Sequence, residues 1–340
     1  MAVILGAQAL EGVLRMNDAI DILETMSKHE AQGRTLIAPR QTVAMEGGWM
    51  RLMFAADYES GYGATKAFHM VHGVGVRYVV SLYRVQDGEL LAVLDGRLIT
   101  DLRTGAASGV AARYLKLPSS VSIGVLGSGH QARMQLEALA ATLHVTRASV
   151  YSPNSRHRRA FAVEMTRKLD LPVTAVDNAE TAARGNSVVV AATNAAGTEP
   201  VLRRRWLDEC RLVCAVGSTR RESIEVDADT FGDAALVIVD SLLAAEEAGD
   251  LQQALATGAL DAGRPVTLAQ LVTRGQAGLA GGYAVFKSVG TALQDLALAS
   301  RYYELLRAPG SALTAPDLAS LKQPVSVSGA AVPQTRARRA

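Results

Sequence analysis

The chain has 340 residues, 49% hydrophobic and 20% charged, the balance of a soluble globular protein with length enough for two cores. Its net charge of +2 excludes a strongly basic nucleic-acid binder and gives no pull toward an anionic membrane. The two cysteines, Cys210 and Cys214, are too few for a disulfide framework or a complete metal site, so buried thiols and no bound metal are expected.

Residues 1–5 are apolar but short and lack a basic flank, which argues against a signal peptide. No apolar run reaches membrane-spanning length, and a cytoplasmic setting is expected. Asn17 is placed to cap a helix with apolar positions Ala19, Ile20, Ile22, Leu23 and Met26, and Gly33 is placed to stop it. Residues 35–37 and Val43 read as short strands around Pro39-Arg40. Gly61-Tyr62-Gly63-Ala64-Thr65-Lys66 reads as a glycine-rich turn leading to a lone lysine. Residues 76–83 and 89–94 are β-rich and joined by Gln86-Asp87-Gly88, a hairpin signal. Thr100 or Asp101 is the expected cap of the next helix, whose small residues 104–109 imply close packing.

From 121 to 285 apolar runs (121–126, 148–151, 172–176, 187–192, 212–216 and 235–240) alternate with helical patterns at 130–143, 155–169 and 178–184. Such alternation builds a doubly wound parallel sheet, with ligands beyond the carboxyl ends of its strands. The first of these runs stops at Gly127-Ser128-Gly129-His130-Gln131-Ala132, and a helical pattern follows. Gly127 makes the tight turn, Gly129 lets backbone approach a pyrophosphate, and Ala132 lets helix and strand pack closely. Ser152, Ala192-Thr193 and Gly217-Ser218 end three later runs and are expected at the same edge. A further helix runs from Ser288 towards Arg307, and 309–340 read as a disordered tail. The expected fold is α/β: a Rossmann doubly wound sheet over 119–285, plus an α+β substrate-binding and dimerisation unit from 1–118 with 286–308.

An NAD fingerprint places a carboxylate after the second strand to bind the ribose 2′-hydroxyl. Here Ser152, Asn154, Ser155 and Arg156 follow instead, a set suited to a 2′-phosphate. NADP(H) is therefore favoured over NAD(H).

Several segments together resemble the ornithine cyclodeaminase/mu-crystallin family. They are Pro39-Arg40, Gly63-Ala64-Thr65-Lys66, the stretches 91–96 and 102–109, Gly127 to Ala132, Ala215-Val216-Gly217-Ser218, Glu225 with Asp227, Asp240-Ser241, the stretch 247–251, and 286–290 with Asp295. The resemblance implies a homodimer. It implies that Arg40, Lys66 and Arg103 face a small amino- or imino-acid substrate and hold its carboxylate, a task suited to guanidinium and ammonium groups. It also implies dinucleotide contacts from Thr104, Gly127, Ser128, Gly129, His130, Gln131, Ser152, Asn154, Arg156, Ala192, Thr193, Val216, Gly217 and Ser218. Between two arginines the pKa of Lys66 should fall, which would let it donate a proton as well.

Cyclodeaminases of the family carry an aspartate where this chain has Thr219, which cannot act as a carboxylate base. Thr219 is expected to hydrogen-bond the substrate nitrogen or the cofactor carboxamide. The expected chemistry is reduction of an α-imino acid by NAD(P)H, with Lys66, Arg103 and Thr219 as the catalytic set. Two alternatives are an ornithine cyclodeaminase that keeps its NAD bound, and a non-catalytic protein that holds a small ligand on an NADPH-loaded fold.

Overall fold

The computed structural model describes residues 2–194, 197, 199–307 and 313–315. The chain opens with β1 (Ala2–Leu5), α1 (Ala7–Leu10) and α2 (Met16–Ala31). The strands β2 (Thr35–Ile37), β3 (Gln41–Met45), β4 (Gly48–Asp57), β5 (Tyr62–Val71), β6 (Gly75–Arg84) and β7 (Leu90–Asp95) follow, then α3 (Gly96–Arg113). These strands form a sheet ordered β1-β7-β6-β5-β4-β2, with β3 also paired to β4. All pairs are antiparallel except β1 with β7. Side chains alternate across the pleat. Met53, Ala55, Ala64, Phe68, Val80 and Leu82 face inward and are buried, whereas Val43, Leu52, Phe54 and Val79 stay exposed on the outer face.

The second sheet is built from β8 (Val121–Leu126), α4 (His130–Thr142), β9 (Val145–Tyr151), α5 (Ser155–Leu169), β10 (Val173–Ala175), α6 (Ala179–Ala183), β11 (Val188–Ala191) and β12 (Leu212–Ala215). It continues through α7 (Ala228–Gly232), β13 (Leu236–Val239), α8 (Ala244–Glu247), α9 (Gly249–Ala256), β14 (Val266–Thr267), α10 (Leu268–Arg274) and β15 (Ala284–Lys287). Its order is β10-β9-β8-β11-β12-β15-β13-β14, parallel throughout. A parallel sheet is covered on both faces, so its strands read as unbroken apolar runs; every residue of β11 and β12 is buried. Strand order reverses between β8 and β11, which is where a doubly wound sheet opens a crevice. α11 (Ala292–Leu306) then packs back on β4, β5 and β6 of the first sheet.

Several local expectations are corrected. α2 starts at Met16, where the Asp18 carboxylate accepts from Arg15 N (2.9 Å), so Asn17 is not its cap. α3 starts at Gly96 and is capped by Asp95, several residues before Thr100. Lys66 lies inside the strand β5 rather than on a turn. α11 starts at Ala292, capped by Thr291, rather than at Ser288, because residues 288–290 are held in a loop by the Asp240 carboxylate. Within the stretch read as a disordered tail, β16 (Leu313–Ala315) pairs antiparallel with β1; 309–312 and 316–340 lie outside the described residues.

α3 and α4 touch backbone to backbone. A Cβ on Gly105 would stand 2.5 Å from the Met134 carbonyl oxygen, and Gln135 Nε2 donates to Thr104 O (2.9 Å). Cys210 and Cys214 are buried free thiols, each pushed up to about 12 by burial. Among the described residues no helix is long and apolar enough to cross a membrane, and no cluster of His, Cys, Asp and Glu could hold a metal ion.

Candidate functional site

A cleft of about 860 Å³ opens at the reversal of strand order. Gly127 there has φ +113°, in the region that favours glycine, and a side chain on it would run into the Ala192 carbonyl. Gly129 begins α4 with no side-chain cap, and nothing lies within 4 Å of where its Cβ would stand. The cleft therefore meets an open helix N-terminus with bare backbone N–H groups, which fits a pyrophosphate. Ser128, His130, Gln131, Ser152, Asn154, Ala192, Thr193, Val216 and Gly217 line it as well. Ser128 Oγ donates to Ser152 Oγ (2.8 Å). The Asn154 carboxamide oxygen caps α5, accepting from Arg156 N (3.0 Å) and His157 N (3.1 Å).

Three expected cofactor residues are not brought to this lining. Thr104 is buried in α3 and donates to Thr100 O (2.7 Å). Ser218 turns inward and donates to Ser223 O (2.6 Å). Arg156 is exposed on the first turn of α5, while Arg158 is drawn back to Asp177 (2.7 Å).

The two loops that close the cleft are held by Glu225, which is 1% exposed. Its carboxylate accepts from Thr193 N (2.6 Å), Thr193 Oγ1 (2.8 Å), Gly217 N (2.8 Å) and Ser218 N (3.1 Å). Burial pushes the Glu225 carboxyl up, and Lys287 opposes that. Glu225→Gln puts an amide NH₂ against backbone donors. It is expected to cost about 1–3 kcal/mol of stability, read by urea unfolding, and to weaken dinucleotide binding in a fluorescence titration.

The three basic residues converge from three elements. Lys66 on β5 is 2% exposed, and its Nζ donates to Thr100 Oγ1 (2.7 Å) and Asp295 Oδ1 (2.7 Å). Arg103 on α3 reaches the same carboxylate oxygen at 3.7 Å and Gln294 Oε1 at 3.3 Å. Arg40, just before β3, donates to the carbonyls of Val289 (3.0 Å) and Gly290 (2.7 Å) and pairs with Glu247 (2.8 Å). Gly290, at φ +79°, carries no side chain because the Arg103 guanidinium occupies that space. Asp240 fixes this loop by accepting from Ser288 Oγ (2.7 Å) and Gly290 N (2.6 Å). Burial lowers Lys66 to about 8; Asp295 opposes the fall, while Arg103 and Arg40 add to it.

Among the described residues, Arg40 Nε, Arg103 Nε, Asp295 Oδ2 and Gln131 Oε1 are buried without a hydrogen-bond partner. Buried polar atoms are almost always paired, so such a concentration of orphans marks a place for a ligand. Tyr78 connects the parts: it lines the dinucleotide cleft, and Lys66 Nζ lies 5.0 Å from its ring centre. Thr219 lines a separate, smaller cleft together with Arg40.

Sequence reasoning assigned no role to Asp295, Asp240, Glu225, Glu247 or Tyr78. Four of these stand in the family-like segments, which was their only signal. Tyr78 had none, since nothing local ties a strand tyrosine to Lys66 two strand positions away.

The family model described as "Ornithine cyclodeaminase/mu-crystallin family" matches residues 1–309. The chain is 29% identical to the alanine dehydrogenase of Archaeoglobus fulgidus over 315 residues, 88% of this chain and 94% of that protein. The structure of Thermococcus litoralis Δ1-pyrroline-2-carboxylate reductase in complex with NADH and L-proline matches with a TM-score of 0.83 at 29% identity, covering 89% of this chain and 96% of that one. An archaeal alanine dehydrogenase dimer with bound NAD matches with a TM-score of 0.81 at 26% identity, covering 89% and 95%.

Proposed function

The chain belongs to the ornithine cyclodeaminase/mu-crystallin family, and on that premise we propose that it is an NAD(P)H-dependent reductase or dehydrogenase of a small α-imino or α-amino acid. The observation that carries this reading is Lys66. It is a buried ammonium with a pKa near 8, paired to Asp295 and Thr100, beside Arg103 and behind the tyrosine that lines the dinucleotide cleft. A reduced nicotinamide supplies a hydride to the imine carbon while the nitrogen takes up a proton, giving the amino acid. The chain's own residues do the rest. Arg40, Lys66 and Arg103 hold the α-carboxylate and fix which face of the imine is presented. Lys66 Nζ carries the proton for nitrogen, and Thr219, set in the separate cleft beside Arg40, takes no part in that step.

Thr219 supports reduction over cyclodeamination, because it stands where the base would and the half-buried carboxylate in its cleft, Glu247, is paired with Arg40 at 2.8 Å. Glu222 is solvent-facing and lies 3.6 Å from Arg220. In the same reading, residues 1–118 with α11 form the substrate and dimerisation unit, and the dinucleotide unit runs from 119 past the expected boundary at 285 to Lys287, the end of β15. The exposed apolar face of the first sheet (Val43, Leu52, Phe54 and Val79) supports a homodimer, the state of the archaeal alanine dehydrogenase. Ser152, Asn154 and Arg156, with no carboxylate after β9, support NADP(H) over NAD(H). The two buried thiols suit a reducing, cytoplasmic setting.

The test is a panel of cyclic imino acids and of α-keto acids with ammonia or methylamine, followed through nicotinamide absorbance with NADH and NADPH in parallel. Turnover with at least one imine and a lower KM for NADPH are expected. Dinucleotide binding without turnover on any of them would sink the reading.

A further inference from the structure

With its carboxylate on the basic anchor, an imino acid must turn its reacting carbon toward the dinucleotide cleft. Whatever side chain it carries then has to fit between Lys66 and that cleft. Tyr78 stands at this place. It lines the cleft together with Val76, Gly127, Ala192 and Gly217, and its ring centre lies 5.0 Å from Lys66 Nζ. The charges that act on its hydroxyl are those around the anchor. Burial raises the phenol, Arg103 opposes the rise, and Asp101 and Asp295 add to it.

The ring is held from behind. It stacks on Phe68, with centroids 5.4 Å apart and planes 24° apart, and Phe68 in turn meets the Trp49 ring edge-on at 5.5 Å. The three aromatics thus form one ladder across β4, β5 and β6. Phe68 and Tyr78 are direct partners in the strand register, the placement in which cross-strand aromatic pairs interact most. α3 closes the base of the ladder. A Cβ on Gly96 would stand 2.8 Å from Tyr78 Cβ, so the helix begins in contact with this strand position. Turning the ring out of its place gives up the stack on Phe68.

We propose that Tyr78 is the specificity-determining residue for the substrate's side chain: its ring is the wall against which the group on the imine carbon packs, and it shuts out branched and aromatic groups. This deepens the reductase reading and rests on it. Arg40, Lys66 and Arg103 act on the carboxylate and nitrogen, which all α-imino acids share. Tyr78 faces the part in which they differ. The effect is one of bulk, so it belongs to the ring and not to the hydroxyl.

The experiment compares pyruvate, 4-methyl-2-oxopentanoate and phenylpyruvate, each with ammonia and reduced dinucleotide, in the wild-type protein, Tyr78→Ala, Tyr78→Leu and Tyr78→Phe. In wild type kcat/KM should fall steeply from pyruvate to the branched and aromatic acids. In Tyr78→Ala the ratio of phenylpyruvate to pyruvate should rise about 10- to 100-fold, while Tyr78→Phe keeps the wild-type ratio. Tyr78→Leu retains an apolar partner for Phe68; it should fall between the two and replaces Tyr78→Ala where that variant does not fold. A tyrosine with a structural role alone would lower all three acids alike, so an unchanged ratio in Tyr78→Ala and Tyr78→Leu overturns the wall. An equal shift in Tyr78→Phe overturns it as well. A second readout separates this from failure of the reductase reading. Propionate and 3-phenylpropionate are titrated calorimetrically into the dinucleotide-loaded protein. 3-Phenylpropionate that binds more weakly than propionate in wild type and gains on it in Tyr78→Ala upholds the wall even where no imine is reduced. No gain of the larger acid in either readout refutes it.

Discussion

Lys66→Met will lower kcat/KM for imine reduction by about 10³-fold, within the range of a lost general acid. The same substitution removes one cation of the carboxylate anchor, so KM should rise as kcat falls. Methionine preserves length and packs against the stacked Phe68 and Tyr78 rings, which the Lys66 ammonium already faces at 5.5 and 5.0 Å. Urea unfolding run alongside separates lost chemistry from a lost fold, because the change leaves Asp295 facing Arg103 alone at 3.7 Å. The wild-type pH profile checks the role independently. The reductive direction needs the ammonium form of Lys66, so kcat/KM should be level below pH 8 and fall above the lysine's pKa of about 8. The oxidative direction needs the free amine and should rise over the same interval. Asp295 favours the ammonium, so Asp295→Asn should move both transitions to lower pH. A pH profile that does not move in Asp295→Asn would show that Lys66 is not the titrating group.

Lys287→Met will destabilise the apo-protein by about 3–5 kcal/mol in urea unfolding, the usual cost of stranding one half of a buried ion pair. Lys287 and Asp250 are both fully buried, with Nζ 2.9 Å from Oδ2. Without the lysine the carboxylate keeps, among the described residues, only Leu251 N (2.9 Å). Lys287→Met with Asp250→Leu should recover most of the loss, since replacing both charges by apolar groups strands neither. The effect reaches the cleft as well. Lys287 Nζ also donates to Ser218 O (2.7 Å), beside Gly217 on its wall, so the KM for dinucleotide should rise in the single variant.

The sequence announces what local periodicity encodes. β8, β9, β11 and β12 were legible because parallel strands buried on both faces cannot avoid apolar runs, and α4, α5 and α6 because their apolar stripes lie between those runs. The Gly127 to Ala132 turn was legible because its backbone geometry leaves few residue types free. β4 was not, because one of its faces is exposed and apolar: Leu52 and Phe54 blur the alternation that marks a half-buried strand. β15 was not read at all, because Ala284 to Lys287 is too short a run to announce itself and becomes a strand only in the gap between β12 and β13. In the site, Arg40, Lys66 and Arg103 came from a resemblance. Asp295, which joins two of them, could not be assigned a role by spacing, because it lies 229 positions from its lysine partner. Tertiary pairing of that range leaves no periodic trace.

The direct contact of α3 with α4 sets a length. Arg103 rides on α3, and the turn meeting the dinucleotide begins α4; at Gly105 no side chain stands between the two helices. Anchor and turn are thus spaced by backbone contact alone. A side chain at position 105 would wedge them apart, and the distance from carboxylate anchor to dinucleotide would grow with it.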